Sequence, residues 1–132
     1  MEQAQRVLVI EDSKTDVFLI LEALESAGVR ADIDVVHDGQ AALRFLDEEA
    51  QPALVLLDLN LPRYSGHEIL RHIRSNLRTK DVAVLVVTSS ALSQDREELT
   101  ALGFEAYFQK PSDYEAFLKL GPLVKGLLER VK

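Results

Sequence analysis

The chain has 132 residues, of which 47% are hydrophobic, and its formal net charge is −7. This length and apolar content predict one folded domain with a sizeable core and exclude a disordered tail. The acidic balance offers no basic surface for a phosphate backbone, so direct nucleic-acid binding is not expected. The absence of cysteine excludes disulfides, thiolate metal sites and cysteine nucleophiles.

The sequence also lacks the features of a membrane or secreted protein. No apolar run approaches the ~20 residues that a membrane span requires, and the amino terminus lacks the pattern of a secretory signal. We therefore expect a cytoplasmic protein without a membrane partner. There is no internal repeat, low-complexity stretch or linker, so residues 1–132 are predicted to form a single domain.

The first predicted strand and helix enclose an acidic pair. The apolar, β-branched run Arg6–Ile10 predicts a short strand that ends at Glu11-Asp12. Ser13, followed three residues later by Asp16, resembles a capping box, and apolar residues then recur at helical spacing as far as Gly28. This order of strand, acids and helix is typical of a βα unit.

A second unit and a central strand follow. Ile33–Val36 predicts a shorter strand, and Asp38-Gly39 begins a second helix that ends near Glu49. The unbroken apolar run Ala53–Leu57 predicts a strand that is buried on both faces, with Asp58 at its carboxyl end. Because ligands of open α/β sheets bind at that end of the strands, Asp58 is a candidate functional residue.

The remaining elements repeat this alternation. In chain order they are a helix at about Gly66–Asn76, a strand at Val82–Val87 that ends at Thr88, a helix at about Ser93–Leu102, a strand at Ala106–Gln109 that runs into Lys110, and a helix at about Ser112–Val131. Gly121-Pro122 lies inside the last helix, where proline predicts a kink or a break. That helix has more leucines than one face against a sheet needs, which indicates either an exposed interface or leucines that fold back on the core.

The alternation predicts a doubly wound α/β domain, with a five-stranded parallel sheet and five helices on its two faces. Parallel strands end at one edge of a sheet, so the polar residues at these strand ends are expected to converge: Glu11, Asp12, Asp58, Thr88 and Lys110. Each of them alone has an ordinary explanation as a helix cap, a strand end or a solvated loop residue. Their convergence from four strands favours a functional site.

The types of these side chains predict phosphoryl transfer. Three carboxylates in close contact repel one another unless a cation lies between them, and Mg²⁺ accepts one or two carboxylates together with water and phosphate oxygens. An aspartate can form an acyl phosphate, and a lysine can bind the transferring group. No GxGxxG follows the first strand and no GxxxxGK[ST] is present, which disfavours binding of dinucleotides and nucleoside triphosphates.

These motifs together resemble the receiver domain of two-component response regulators over nearly the whole chain. Glu11-Asp12 resembles the acidic pair of that family, Leu57–Pro62 followed by Gly66 its phosphoacceptor segment, Thr88 its hydroxyl position, and Lys110-Pro111 its lysine with a cis-prone proline. The resemblance implies a flavodoxin-like sheet with the strand order 2-1-3-4-5.

The resemblance also implies a role for each site residue. Asp58 would accept a phosphoryl group from a histidine kinase, and Thr88 and Lys110 would contact the phosphoryl oxygens. Tyr107 would take the position of the aromatic switch, which moves together with Thr88. The ligands of Mg²⁺, or of Mn²⁺ in its place, would be Asp12, Asp58, the backbone carbonyl of Asn60 and, through water, Glu11.

Expectations about partners follow from the same resemblance. Asn60, the Pro62-Arg63 loop and the segment from Lys110-Pro111 to Asp113 look like those of the small regulators that partner bacterial phytochrome kinases. A stand-alone regulator without an output domain is expected. Phosphorylation is expected to strengthen a homodimer through the fourth helix, the fifth strand and the last helix.

Three functions remain open on the sequence. The first is a phosphoacceptor signalling module whose only catalysis is on itself. The second is a phosphohydrolase with an aspartyl-phosphate intermediate, although such enzymes generally carry a second acid where this chain has Asn60. The third is a receiver-like interaction module that is never phosphorylated, and the presence of Asp58, Thr88 and Lys110 weighs against it.

Overall fold

The computed structural model describes residues 5–48, 51–89 and 96–131. Its strands are β1 (Gln5–Ile10), β2 (Ala31–Val36), β3 (Leu54–Leu57), β4 (Ala83–Thr88) and β5 (Ala106–Gln109). Its helices are α1 (Lys14–Ser26), α2 (Gly39–Glu48), α3 (Gly66–Ser75), α4 (Arg96–Leu102), α5 (Tyr114–Phe117) and α6 (Leu120–Arg130). All neighbouring strands pair in parallel, in the order β2-β1-β3-β4-β5. The predicted fold class and strand order are confirmed.

Alternate residues of the central strands pack into two separate cores. Val7 and Leu54 lie in the core beneath α1, α5 and α6, whereas their neighbours Leu8 and Val55 lie in the core beneath α2, α3 and α4. Both faces of β3 and β4 are buried, which explains why their sequences are unbroken apolar runs. Of the helices in the described part of the chain, none has the length and apolar content of a membrane span.

Most predicted boundaries agree with the structure to within two residues. The main differences are that β2 begins two residues early, at Ala31, and that Thr88 is the last residue of β4 rather than the first residue after it. The predicted end of the second helix near Glu49 and the predicted start of the fourth near Ser93 lie outside the described residues.

The break in the last helix is present, but it lies before Gly121-Pro122. The structure has a short α5 and a longer α6, separated by Leu118 and Lys119. Pro122 is the third residue of α6, where a backbone N–H has no intrahelical acceptor, so proline costs no hydrogen bond there. The position predicted from proline alone was therefore wrong by three residues.

The leucines of α5 and α6 fold back on the core. Phe117, Leu120, Val124, Leu127 and Leu128 are buried, and the remaining two, Leu118 and Leu123, pack partly buried against the same core. Of the two expectations for the extra leucines, the structure agrees with the one in which they fold back on the core, although Leu118 and Leu123 keep part of their surface exposed. Because the chain breaks between α5 and α6, the two helices can bury more apolar side chains against the sheet and α1 than one straight helix could.

The connection from β5 to α5 holds Lys110 at the end of the sheet. The Lys110 amide donates to the carbonyl of Thr88, with an N···O distance of 2.8 Å. Asp113 then caps α5 by accepting a hydrogen bond from the Ala116 amide at 3.0 Å. The peptide bond before Pro111 is trans, since no peptide bond in the described ranges is cis.

Candidate functional site

The strand ends bring four polar residues to one edge of the sheet. Glu11 follows β1 and Asp58 follows β3, and the last residues of these two strands are paired in register. Thr88 ends β4 and is paired with Gln109, the residue before Lys110. The predicted convergence of these side chains follows directly from the parallel pairing of four strands.

The acidic residues form a cluster that is suited to a divalent cation. Glu11, Asp12 and Asp58 each offer a carboxylate oxygen that lies within 4.8 Å of the other two. Glu11 and Asp58 are only 1% and 5% exposed, whereas Asp12 is exposed to solvent. Oxygen donors of this kind are those that Mg²⁺ and Mn²⁺ prefer, so the residues present fit the predicted metal.

Lys110 is held inside the acidic cluster. Its ammonium donates to Glu11 at 2.5 Å, to Asp16 at 2.8 Å and to Asp58 at 3.3 Å, and its side chain is 8% exposed. Burial alone would lower the pKa of Lys110, but the bonds to Asp16 and Glu11 and the charge of Asp58 outweigh it, so that the pKa is raised. The lysine is therefore a fixed positive charge beside Asp58.

The surroundings of Glu11 disfavour the ionised form of its carboxylate. Its pKa is raised to about 7, chiefly by burial and also by the neighbouring charge of Asp58, even though the hydrogen bonds from Lys110 and from the Ser13 amide act to lower it. The Ser13 amide donates to Glu11 Oε2 at 3.1 Å. A cation in the cluster would lower the pKa of Glu11, because it favours the ionised carboxylate.

The phosphoacceptor candidate Asp58 is oriented by the loop that follows it. Its Oδ1 accepts a hydrogen bond from the Asn60 amide at 3.2 Å, while its Oδ2 receives the Lys110 ammonium. Gly66 allows the end of this loop to pack directly against the backbone of Asp58 and Leu59. A Cβ at this position would lie 2.5 Å from the Asp58 carbonyl oxygen and 2.5 Å from the Leu59 Cα. The Asp58 carboxylate is therefore held with Oδ1 toward the Asn60 amide and Oδ2 toward the Lys110 ammonium.

The two predicted switch residues lie on neighbouring strands. Thr88 is fully buried, and its hydroxyl accepts a hydrogen bond from the Asn60 side-chain amide at 3.4 Å. Tyr107 is partly buried against the core beneath α2, α3 and α4, and it pairs with Val86 in the adjacent strand. Burial raises the pKa of the Tyr107 hydroxyl.

Asp16 is a residue of this site that the sequence pattern did not identify. Its amide donates to Ser13 Oγ at 3.2 Å, as a capping box requires, but its carboxylate binds Lys110. The predicted reciprocal bond is replaced, since the Ser13 amide donates to Glu11. The available signal was that Asp16 lies in the first turn of the helix that follows β1, at the same edge of the sheet.

Comparison with known proteins agrees with the geometry. The family model for the response regulator receiver domain matches residues 7–120. The chain is 32% identical over 120 residues to the response regulator Rcp1 of Synechocystis sp., covering 86% of this chain and 82% of Rcp1. It is also 33% identical over 114 residues to the probable methanogenesis regulatory protein FilR2 of Methanothrix harundinacea, covering 83% of this chain and 74% of that protein.

Solved structures show the same arrangement of the chain. The phosphorylated cyanobacterial phytochrome response regulator RcpA superimposes with a TM-score of 0.84 and 32% identity, over 96% of this chain and 93% of that one. The Mn²⁺-bound form of Rcp1 superimposes with a TM-score of 0.82 and 32% identity, over 93% of this chain and 91% of that one. This chain therefore belongs to the receiver domain family of the response regulators of two-component systems.

Proposed function

We propose that Asp58 accepts a phosphoryl group from a phosphohistidine of a histidine kinase. The observation that carries this proposal is the placement of a buried carboxylate between a fixed ammonium and two further acids at the sheet edge. An Asp58 oxygen bonds to phosphorus while the N–P bond of the donor breaks, and its electron pair remains on the histidine nitrogen. Water later attacks phosphorus, releasing phosphate and restoring the carboxylate.

Residues around Asp58 have separate roles in this transfer. Lys110 meets the charge of the phosphoryl oxygens, and the Thr88 hydroxyl moves toward them from the end of β4. Asp12, Asp58 and the Asn60 carbonyl would hold Mg²⁺ or Mn²⁺, and Glu11 would act through water. The metal, when bound, supplies positive charge that stabilises the transferring group. The Mn²⁺-bound form of Rcp1 supports this assignment by similarity.

Uptake from a small-molecule donor separates this function from the two alternatives. The purified protein is incubated with acetyl phosphate and Mg²⁺, and its intact mass is followed with time, together with released inorganic phosphate. We expect the gain of one phosphoryl group per chain. Continuous phosphate release far above the rate of loss from the phosphorylated protein would favour a phosphohydrolase, and the absence of any gain would favour an interaction module.

Metal dependence gives a second prediction. Asp12→Ala is expected to raise the Mg²⁺ concentration for half-maximal uptake by roughly ten- to a hundredfold, because it removes a direct ligand. Glu11→Gln should have a smaller effect, since Glu11 acts through water. The check is a Mg²⁺ titration of the uptake rate for each variant. Uptake that continues unchanged in excess chelator would contradict the metal assignment.

The kinase that supplies the phosphoryl group is proposed to be a bacterial phytochrome. The similarity to the phytochrome response regulator RcpA and to the bacteriophytochrome response regulator RtBRR supports this choice. A cytoplasmic location is part of this proposal, because direct transfer requires the chain to share a compartment with the kinase domain. The net charge of −7 supports a protein partner rather than nucleic acid. Apart from its own phosphorylation and dephosphorylation, no enzymatic activity is proposed.

A phosphorylation-dependent homodimer is the last part of the proposal. Inward movement of Thr88 would free space that Tyr107 fills, and the surface formed by α4, β5 and the last helical segment, α5 with α6, would change. Partly buried Leu102, Phe104 and Tyr107 leave apolar surface there, and β5 is an edge strand of the described sheet. Sedimentation with and without beryllofluoride, a phosphoryl mimic, is expected to show more dimer with it. A monomer in both states at high concentration would contradict this.

A further inference from the structure

Asp16 contacts the reactive centre without belonging to the acidic metal cluster. It is the third residue of α1, and the hydrogen bond from its amide to Ser13 fixes its backbone. Its Oδ2 accepts a hydrogen bond from Lys110 Nζ at 2.8 Å, and its side chain is 28% exposed. The three acids that share one possible cation position are Glu11, Asp12 and Asp58, so Asp16 acts on the lysine and not on the metal.

The three N–H groups of the Lys110 ammonium have three carboxylate acceptors. The contacts with Glu11 and Asp16 are 2.5 Å and 2.8 Å, and the contact with Asp58 is longer, at 3.3 Å. Two short bonds to separate acceptors fix the position and the rotation of an ammonium group. The third N–H is consequently directed at Asp58 Oδ2.

We propose that Asp16 is a positioning residue for phosphoryl transfer, because it holds Lys110 with one N–H directed at the group bound to Asp58. This inference rests on the proposed function of Asp58. When phosphorus bonds to Asp58, the long third contact passes to a phosphoryl oxygen while the bonds to Glu11 and Asp16 remain. The lysine then stabilises the transferring group without first being reoriented.

Loss of Asp16 would also change how Lys110 acts on the nucleophile. With only Glu11 and Asp58 as acceptors, the ammonium is drawn toward the Asp58 carboxylate. A closer ammonium weakens the nucleophile and occupies the space that the phosphodonor needs. The uptake rate should therefore fall even when the metal site is saturated.

The test compares the wild type with Asp16→Asn, Asp16→Glu and Glu22→Gln. Glu22 is the matched control because it is also an acid on α1, and its carboxylate accepts a hydrogen bond from the Tyr114 hydroxyl rather than from Lys110. Uptake from acetyl phosphate is measured at saturating Mg²⁺, and the Mg²⁺ dependence is measured for each variant. The ¹H–¹⁵N resonance of the Lys110 ammonium is recorded without metal, and its assignment is checked by its loss in Lys110→Arg.

We expect Asp16→Asn to slow uptake roughly three- to tenfold and to broaden the Lys110 resonance. The full loss of a charge-assisted hydrogen bond would slow uptake more than this, but the amide oxygen of asparagine can still accept a hydrogen bond from Lys110. The Mg²⁺ requirement should stay within about twofold of the wild type, because Asp16 is not a ligand. Asp16→Glu should recover part of the rate, and Glu22→Gln should match the wild type in uptake and resonance.

Two results would overturn the role of Asp16. One is wild-type uptake by Asp16→Asn with an unchanged Lys110 resonance, and the other is a slower uptake that saturating Mg²⁺ restores. If the wild type itself takes up no phosphoryl group, the proposed function of Asp58 fails, and this inference fails with it. If the wild type is phosphorylated and Asp16→Asn takes up the phosphoryl group equally fast, only the role of Asp16 fails and the function of Asp58 stands.

Discussion

Asp58→Asn is expected to abolish phosphoryl uptake while the protein stays folded. The amide has nearly the same shape as the carboxylate, but it is neither a sufficient nucleophile nor a charged metal ligand, so uptake should fall by at least about a hundredfold. The substitution also removes one of three clustered negative charges, which should stabilise the metal-free protein by up to about 1 kcal/mol. Intact mass after incubation with acetyl phosphate and Mg²⁺ measures the first effect, and urea unfolding measures the second.

The matched control for this prediction is Asp38→Asn. Asp38 is another aspartate at the carboxyl end of the sheet, and it caps α2 by accepting a hydrogen bond from the Ala41 amide at 2.7 Å. Asparagine also caps helices, so this variant should take up phosphate at the wild-type rate. If Asp58→Asn retained wild-type uptake, another residue would be the acceptor and the assignment of the site would be wrong.

Gly121→Ala is expected to cause the largest loss of stability among single-methyl additions to α6. A Cβ at this position would overlap the carbonyl oxygen of Ala23 and lie 2.7 Å from the Cβ of Ala27, so α1 and α6 would have to separate. Overpacking against a backbone cannot be relieved by a rotamer change, and we expect the free energy of unfolding to fall by roughly 2–3 kcal/mol. Chemical unfolding followed by circular dichroism is the measurement.

Gly126→Ala, in the same helix, is expected to stabilise the protein. No atom lies within 4 Å of a Cβ built at Gly126, and the position is inside α6. Alanine there should raise the free energy of unfolding by about 0.5–1 kcal/mol, because it lowers the backbone entropy cost of forming the helix. Equal effects of the two substitutions would contradict the close packing of α6 against α1.

The sequence predicted the convergence of side chains correctly where the topology alone brings residues together. Glu11, Asp58, Thr88 and Lys110 follow or end four parallel strands, so identifying the strands was sufficient to place these side chains at one edge. The apolar runs of β3 and β4 made that identification direct. No knowledge of side-chain conformation was needed.

The sequence failed where the answer depends on contacts between distant parts of the chain. The bond between Asp16 and Lys110 joins residues that are 94 positions apart and depends on the side-chain conformations of both residues. A local pattern instead assigned Asp16 to a capping box. Similarly, proline is disfavoured in the interior of a helix but tolerated in its first turn. The presence of Pro122 therefore did not indicate where the break before α6 lies.

The direct test of the central claim is to locate the phosphoryl group on the chain. Wild-type protein is phosphorylated with acetyl phosphate and Mg²⁺, reduced with borohydride, which converts an aspartyl phosphate to homoserine, and digested with trypsin. We predict that homoserine appears at Asp58, in the tryptic peptide of residues 45–63, and that it is absent when chelator replaces Mg²⁺. Homoserine at Asp47, the other aspartate of that peptide, or modification that is independent of metal, would contradict the account.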